Sequence, residues 1–162
     1  MEFQFGESKK RFDRTFRVLW PDRPRSLMDI DLAVDALQHI ASENEMAAFR
    51  TFSDTRSVRA LFDFWRKKDP DTLTAYNGIM AEYYRRVDVA NQQFSSQRSP
   101  DGYKSDRGRI YILYGAPANT ERLFSPHHPP REIWTYGSLQ RRFVFEDQAK
   151  NGVYVLVAAE EF

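Results

Sequence analysis

The spacing of apolar residues changes once along this chain, from helical steps before residue 95 to alternation after residue 109. In the first regime, Leu32, Ala33, Ala36, Leu37 and Ile40 share one helical face behind Ser26, a residue type that caps helix N-termini. A second short helix is predicted around Met46, Phe49 and Phe52. Ser53 is placed to cap a third, in which Val58, Leu61, Phe62 and Trp65 recur at helical spacing. That helix is expected to end at Lys67-Lys68, before Asp69-Pro70. The clearest stripe follows: Leu73, Tyr76, Met80, Tyr83, Val87, Ala90 and Phe94 advance by alternating steps of three and four. Asn77, Tyr84 and Asn91 run beside it, read as hydrogen-bonding ties to neighbouring elements, with a line of ligand-facing groups as the sharper alternative.

The segment from Ser95 to Gly102 has the composition of a loop. Beyond it, Ile110 and Leu113 with their tyrosine neighbours predict a first strand, and Ile133, Trp134 and Tyr136 a second. Phe143, Val144 and Phe145 predict a third strand, and the alternating Val153, Val155 and Val157 a fourth. Gly137-Ser138 and Asn151-Gly152 supply turn residues, and the short connections make strands two to four antiparallel neighbours. A longer loop rich in proline and histidine separates strands one and two. The predicted fold class is therefore α+β, with three or four N-terminal helices on a C-terminal four-stranded antiparallel meander. Phe12, Phe16, Val18 and Trp20 alternate with mostly polar residues before Pro21 and Pro24. Residues 1–25 are accordingly expected to form a lead-in strand or linker, the end of a preceding β-rich domain, and 26–162 the α+β domain.

A chain of 162 residues, 41% hydrophobic and 15% aromatic, can bury a continuous core and is too apolar for a disordered tail. With 24 basic and 23 acidic side chains interleaved, it lacks the basic excess of a dedicated nucleic-acid binder, and no nucleic-acid partner is expected. No run approaches the roughly 18 apolar residues of a membrane span. The first residues carry neither a basic nor an apolar signal-peptide region. The absence of cysteine removes disulfides, thiolate metal sites and cysteine nucleophiles together.

Several ordered blocks carry a resemblance. Phe64-Trp65 with Asp69-Pro70, then Arg86-Val87, Ala90-Asn91 and Phe94, then Gly102-Tyr103-Lys104-Ser105-Asp106, lead into Arg107-Gly108-Arg109-Ile110-Tyr111-Ile112-Leu113-Tyr114-Gly115-Ala116-Pro117. Glu132–Tyr136 and Phe143–Asp147 follow. Together these resemble the GWxTD family of bacterial proteins over roughly residues 26–157. The name-giving motif has Tyr103 for tryptophan and Ser105 for threonine, Asn77-Gly78 stands where the family commonly has Asn-Glu, and the loop over 118–130 is short. The resemblance implies an exported or envelope-associated protein with a β-rich region before this domain, and no agreed catalytic activity.

Among candidate chemistry, the Gly102–Asp106 block is read as a structural staple. Tyr103 is expected to bury its ring, Ser105 or Asp106 to accept backbone N–H groups, and Arg86 to pair with Asp106. His127 and His128 are adjacent and lack a spaced third ligand, so no metal site is expected. Glu132, Glu146 and Asp147, near strand ends, are read as solvated, and Arg107, Arg109 and Arg141-Arg142 as local basic spots. No nucleophile elbow, P-loop or dinucleotide fingerprint is present. The ligand or partner-binding candidates are Arg86, Asn91, Tyr103, Ser105, Asp106, Arg107 and Arg109, with no catalytic residue or cofactor assigned. The function expected is a non-catalytic protein-interaction or structural module of a bacterial envelope or secreted protein, its partner another protein or an adjacent domain. The alternative is an enzyme or small-ligand domain with its site between the long helix and the Gly102–Asp106 loop. An edge strand of the open meander offers a place for an extended peptide.

Overall fold

A computed structural model describes residues 20–51, 54–71, 73 and 76–162. Phe12, Phe16, Val18, Phe52 and Ser53, which carried the lead-in strand, part of the second helix and a cap, lie outside the described residues. The architecture is α+β: helices α1 (Ile30–Ala36), α2 (Glu43–Arg50), α3 (Asp54–Arg66), α4 (Gly78–Phe94) and α5 (Asp106–Tyr114) precede a four-stranded antiparallel sheet. Its strands are β1 (Asn119–Leu123), β2 (Arg131–Tyr136), β3 (Arg141–Glu146) and β4 (Val155–Glu161), in the spatial order β1-β2-β3-β4.

Caps set the helix starts. Asp29, not Ser26, caps α1 by accepting the N–H groups of Asp31 and Leu32. Ser26 sits one turn earlier in a 3-10 turn, where Asp88 of α4 accepts the N–H groups of Arg25 and Ser26. Ser42 and Glu45 form a reciprocal capping box at α2. On α3 the buried face is Leu61, Phe64 and Trp65, while Val58 and Phe62 are exposed. The stripe on α4 starts later than its spacing implies. Asn77 caps the helix through the N–H of Met80, so Leu73, 96% exposed, and half-exposed Tyr76 lie before it.

The polar line on α4 ties the helical layer together. Asn77 donates to the Trp65 carbonyl at 2.8 Å, and the Tyr84 hydroxyl donates to the Ala33 carbonyl at 2.8 Å. Tyr83 donates likewise to Ala36 at 2.6 Å. Each phenol spends its one donor on a carbonyl inside the core, where an unpaired hydroxyl would be costly.

The predicted first strand is a helix. Residues 106–114 are rich in β-formers, but Ser105 caps them through the N–H of Gly108, and Gly115, at φ 81°, ends them. Helix α5 lies between α4 and the sheet and is apolar on opposite sides, which imitates the alternation of a strand. Tyr111 packs on Phe94 and Trp134, and Tyr114 stacks on Phe143 with ring centres 5.4 Å apart. Tertiary packing overrides local preference here. The first strand is instead β1, within the segment expected to be loop.

Trp134, Tyr136, Phe143 and Phe145 form the buried face of the sheet. In β4 the phase is the reverse of the valine pattern: Val155 and Val157 are exposed, and Leu156 packs on the core. Asn151-Gly152 does form part of the β3–β4 connection, and Val153 lies in that connection and not in the strand.

Candidate functional site

The Gly102–Asp106 block is a clasp between α4, α1 and the sheet. A Cβ on Gly102 would come within 2.3 Å of the Ala90 carbonyl oxygen, so only glycine fits against α4 there. Tyr103 is buried; its N–H donates to Asn91 Oδ1 at 3.1 Å and its hydroxyl to Asp35 at 2.5 Å. Burial and the Asp35 carboxylate push the phenol up to about 12. His39 Nε2–H donates to the Tyr103 carbonyl at 2.8 Å, and burial holds that imidazole below its ordinary value. Burial raises the Asp35 carboxyl, but hydrogen bonds from Lys104, at 2.7 Å, and Tyr103 outweigh it and leave the group below its ordinary range. Ser105 donates to the Gly102 carbonyl while capping α5. Asp106 accepts the Leu156 N–H of β4 at 2.8 Å and pairs with Arg109 at 3.1 Å.

Arg86 does not pair with Asp106. It lies at the opposite end of α5, bonded to Glu82 at 2.8 Å and donating to the Ile112 and Leu113 carbonyls at 3.3 and 3.5 Å. A cation at a helix C-terminus satisfies carbonyls left without intrahelical partners. The candidates named from sequence therefore divide. Asn91, Tyr103, Ser105, Asp106 and Arg109 share the clasp, whereas Arg86 braces the other end of α5. Arg107, on the opposite side of α5 from Arg109, reaches the sheet.

There it meets the residue the sequence reading dismissed. Glu132 is 3% exposed and not solvated. It stands on the buried face of β2, one pleat from Trp134, whose indole N–H donates to Glu132 Oε1 at 2.7 Å. Glu132 Oε2 lies 3.3 Å from Arg107 Nη1 and 3.4 Å from Arg122 Nε, its cross-strand neighbour on β1. The Arg107 guanidinium is also held over the Tyr154 ring at 4.2 Å and over Phe94 at 5.2 Å, while its buried Nε has no acceptor among the described residues. Burial lowers the Arg107 pKa, and Glu132 works against that shift. Buried charge clusters of this kind are weak stabilisers and are frequent at functional clefts. Asp147 is buried too, accepting the N–H groups of Asn151 and Gly152 and so shaping the β3–β4 turn. The signal for Glu132 was present: stepping back by two from Tyr136 and Trp134 places it on the apolar face.

Glu132 faces a cleft of about 440 Å³ between β1 and the C-terminal end of α4. Phe94, Tyr111 and Trp134 form its apolar wall, with Thr120 and Arg122 on the β1 side. A broader groove of about 790 Å³ lies along the other side of α4, but its Asp88 is spent on the Arg25 and Ser26 amides. His127 and His128 sit on the exposed connection between β1 and β2. Among the described residues no helix is long and apolar enough to cross a membrane.

The clasp residues and the Glu132–Trp134 strand are the motifs whose order carried the resemblance, and the fold joins them. No curated protein and no solved structure matches this chain. The model of the GWxTD domain matches residues 4–162, nearly the whole chain, and the protein belongs to the GWxTD domain family.

Proposed function

We propose that this domain is a protein-interaction module of a bacterial envelope or secreted protein, and that it holds an extended segment of a partner along the outer edge of β1. The observation that carries this reading is the state of β1 itself. All five residues are exposed, and among the described residues the strand pairs with β2 alone. Such an edge offers backbone N–H and C=O groups to an added strand. The other edge is partly closed, because Asp106 takes the N–H of Leu156. Glu121 and Arg122 keep the β1 edge from indiscriminate pairing, while Leu123 and Phe124, 50% and 71% exposed, provide apolar contact at its end. The envelope or secreted setting rests on family resemblance.

The alternative of a ligand site between α4 and the Gly102–Asp106 loop has less support, since the polar groups there bond to one another. A photo-crosslinking residue at position 121 or 123, with position 98 as control, tests the module in the native host. A defined peptide segment cross-linked from both β1 positions and not from the control supports the reading. Cross-links spread equally over the three positions, or none at all, refute it.

A further inference from the structure

We propose that the segment taken up at β1 is acidic, and that one of its side chains passes beneath the strand to place a carboxylate on the terminal nitrogens of Arg122. This rests on the docking reading above and adds what the partner must carry. A strand added to β1 continues the pleat, so every second side chain points to the face of the sheet that Thr120 and Arg122 occupy, toward the Glu132 cleft. The charge there is unbalanced: one carboxylate, Glu132, faces two guanidinium groups at 3.3 and 3.4 Å.

Glu132 is also fully engaged. It accepts from the Trp134 indole and pairs with Arg107 as well as Arg122, so an incoming cation would meet two arginines before an available acceptor. Arg122 is different. Its side chain is 64% exposed, approaches Glu132 through Nε at 3.4 Å, and makes no hydrogen bond from its terminal nitrogens among the described residues. A guanidinium turned toward Glu132 through Nε presents its outer nitrogens as a fork suited to a carboxylate. The adjoining Phe94, Tyr111 and Trp134 wall excludes water from one side, strengthening the pair relative to a surface ion pair, and receives the apolar part of the same segment.

The test is selection of random ten-residue peptides displayed on phage against the wild-type domain, Arg122→Gln and Arg122→Glu, with amide hydrogen exchange of residues 119–123 reporting docking independently. The wild type is expected to enrich Asp or Glu flanked at two-residue spacing by apolar side chains. An enriched peptide should protect the β1 amides and bind Arg122→Gln about 10-fold or more weakly, the loss of one charge-assisted hydrogen-bond pair. Arg122→Glu should shift the selection to Lys and Arg, and because Arg122 is largely exposed, Arg122→Gln decides the matter if the reversed charge impairs folding. Peptides that protect β1 yet show no acidic preference, or bind Arg122→Gln equally well, overturn the acidic specificity and leave edge docking intact. An empty selection, or peptides that leave β1 unprotected, overturns both. Benzoate binding in the cleft with no peptide selected would assign it to small free acids and also overturn the proposal.

Discussion

Replacing Glu132 by glutamine keeps the shape of the side chain and removes its charge, leaving Arg107 without its carboxylate. Losing one partner of a buried ion pair costs about 3–5 kcal/mol. Arg107 retains 13% side-chain exposure and the Gly152 carbonyl at 3.4 Å, which brings the cost to the lower end of that range or just under it, about 2–3 kcal/mol. For a chain of this size each kcal/mol moves Tm by about 2–4 °C, so a fall of about 4–12 °C is expected. The companion variant joins Glu132→Leu to Arg107→Met. Apolar replacement of both partners is often neutral or stabilising, but here the Trp134 indole loses its acceptor, at a cost of about 1–3 kcal/mol. The double variant should therefore melt at or above Glu132→Gln, because no buried guanidinium is left without its carboxylate. Calorimetry or urea titration of wild type, the single variants and the double closes the cycle. A Glu132→Gln Tm within 2 °C of wild type would show that the pair is not desolvated, and the case for a built cleft would fail with it.

Gly108→Ala should destabilise by about 1–3 kcal/mol despite the better helix propensity of alanine, because its Cβ would sit 2.0 Å from the Gly102 carbonyl oxygen. Gly78→Ala, whose Cβ meets only Tyr76 Cε1 at 3.8 Å, should be neutral or slightly stabilising; the same sign for both in thermal melts would refute the packing. Asp106→Ala should cost about 1–3 kcal/mol by stranding the Leu156 N–H, and its effect should add to that of Arg86→Ala within about 0.5 kcal/mol, whereas strong coupling would restore the direct pair. His39 has a depressed folded pKa, mainly through burial and also from Arg109, with the Tyr103 carbonyl and Asp35 opposing. Stability is thus full above its ordinary value of 6.5 and falls as pH drops through the folded value, so wild type should lose Tm between pH 7.5 and 5 more steeply than His39→Gln; parallel curves would contradict this.

The helical half was legible because helix spacing reports a buried face directly: Met80, Tyr83, Val87, Ala90 and Phe94 all pack inward as their steps imply. Starts were less legible, since a cap is a competition among nearby polar residues, and Asp29 and Asn77 prevailed over Ser26 and the longer stripe. Residues 106–114 misled for a definable reason. A short helix enclosed on two sides buries Ile110 and Ile112 together, and two-residue spacing then looks like a strand. Charges were the hardest to place. Arg86 and Asp106 are compatible partners in sequence, and only the position of each along α5 separates them. Glu132 was passed over because acidic residues near strand ends are mostly hydrated, although its phase with Trp134 pointed inward.

The clasp bears on what a pattern match to this family can mean. Gly102 lies against the Ala90 carbonyl, Tyr103 crosses to Asp35, Ser105 starts α5, and Asp106 reaches the backbone of β4, fifty residues onward. The name motif is thus a joint between the two halves of the molecule. Whoever finds a protein by this signature has found its carpentry, and the β1 edge and the Glu132 cleft lie outside it. The joint also defines its own tolerance. At position 103 this chain places a large ring with one outward donor for Asp35, which tyrosine supplies as O–H and which phenylalanine lacks.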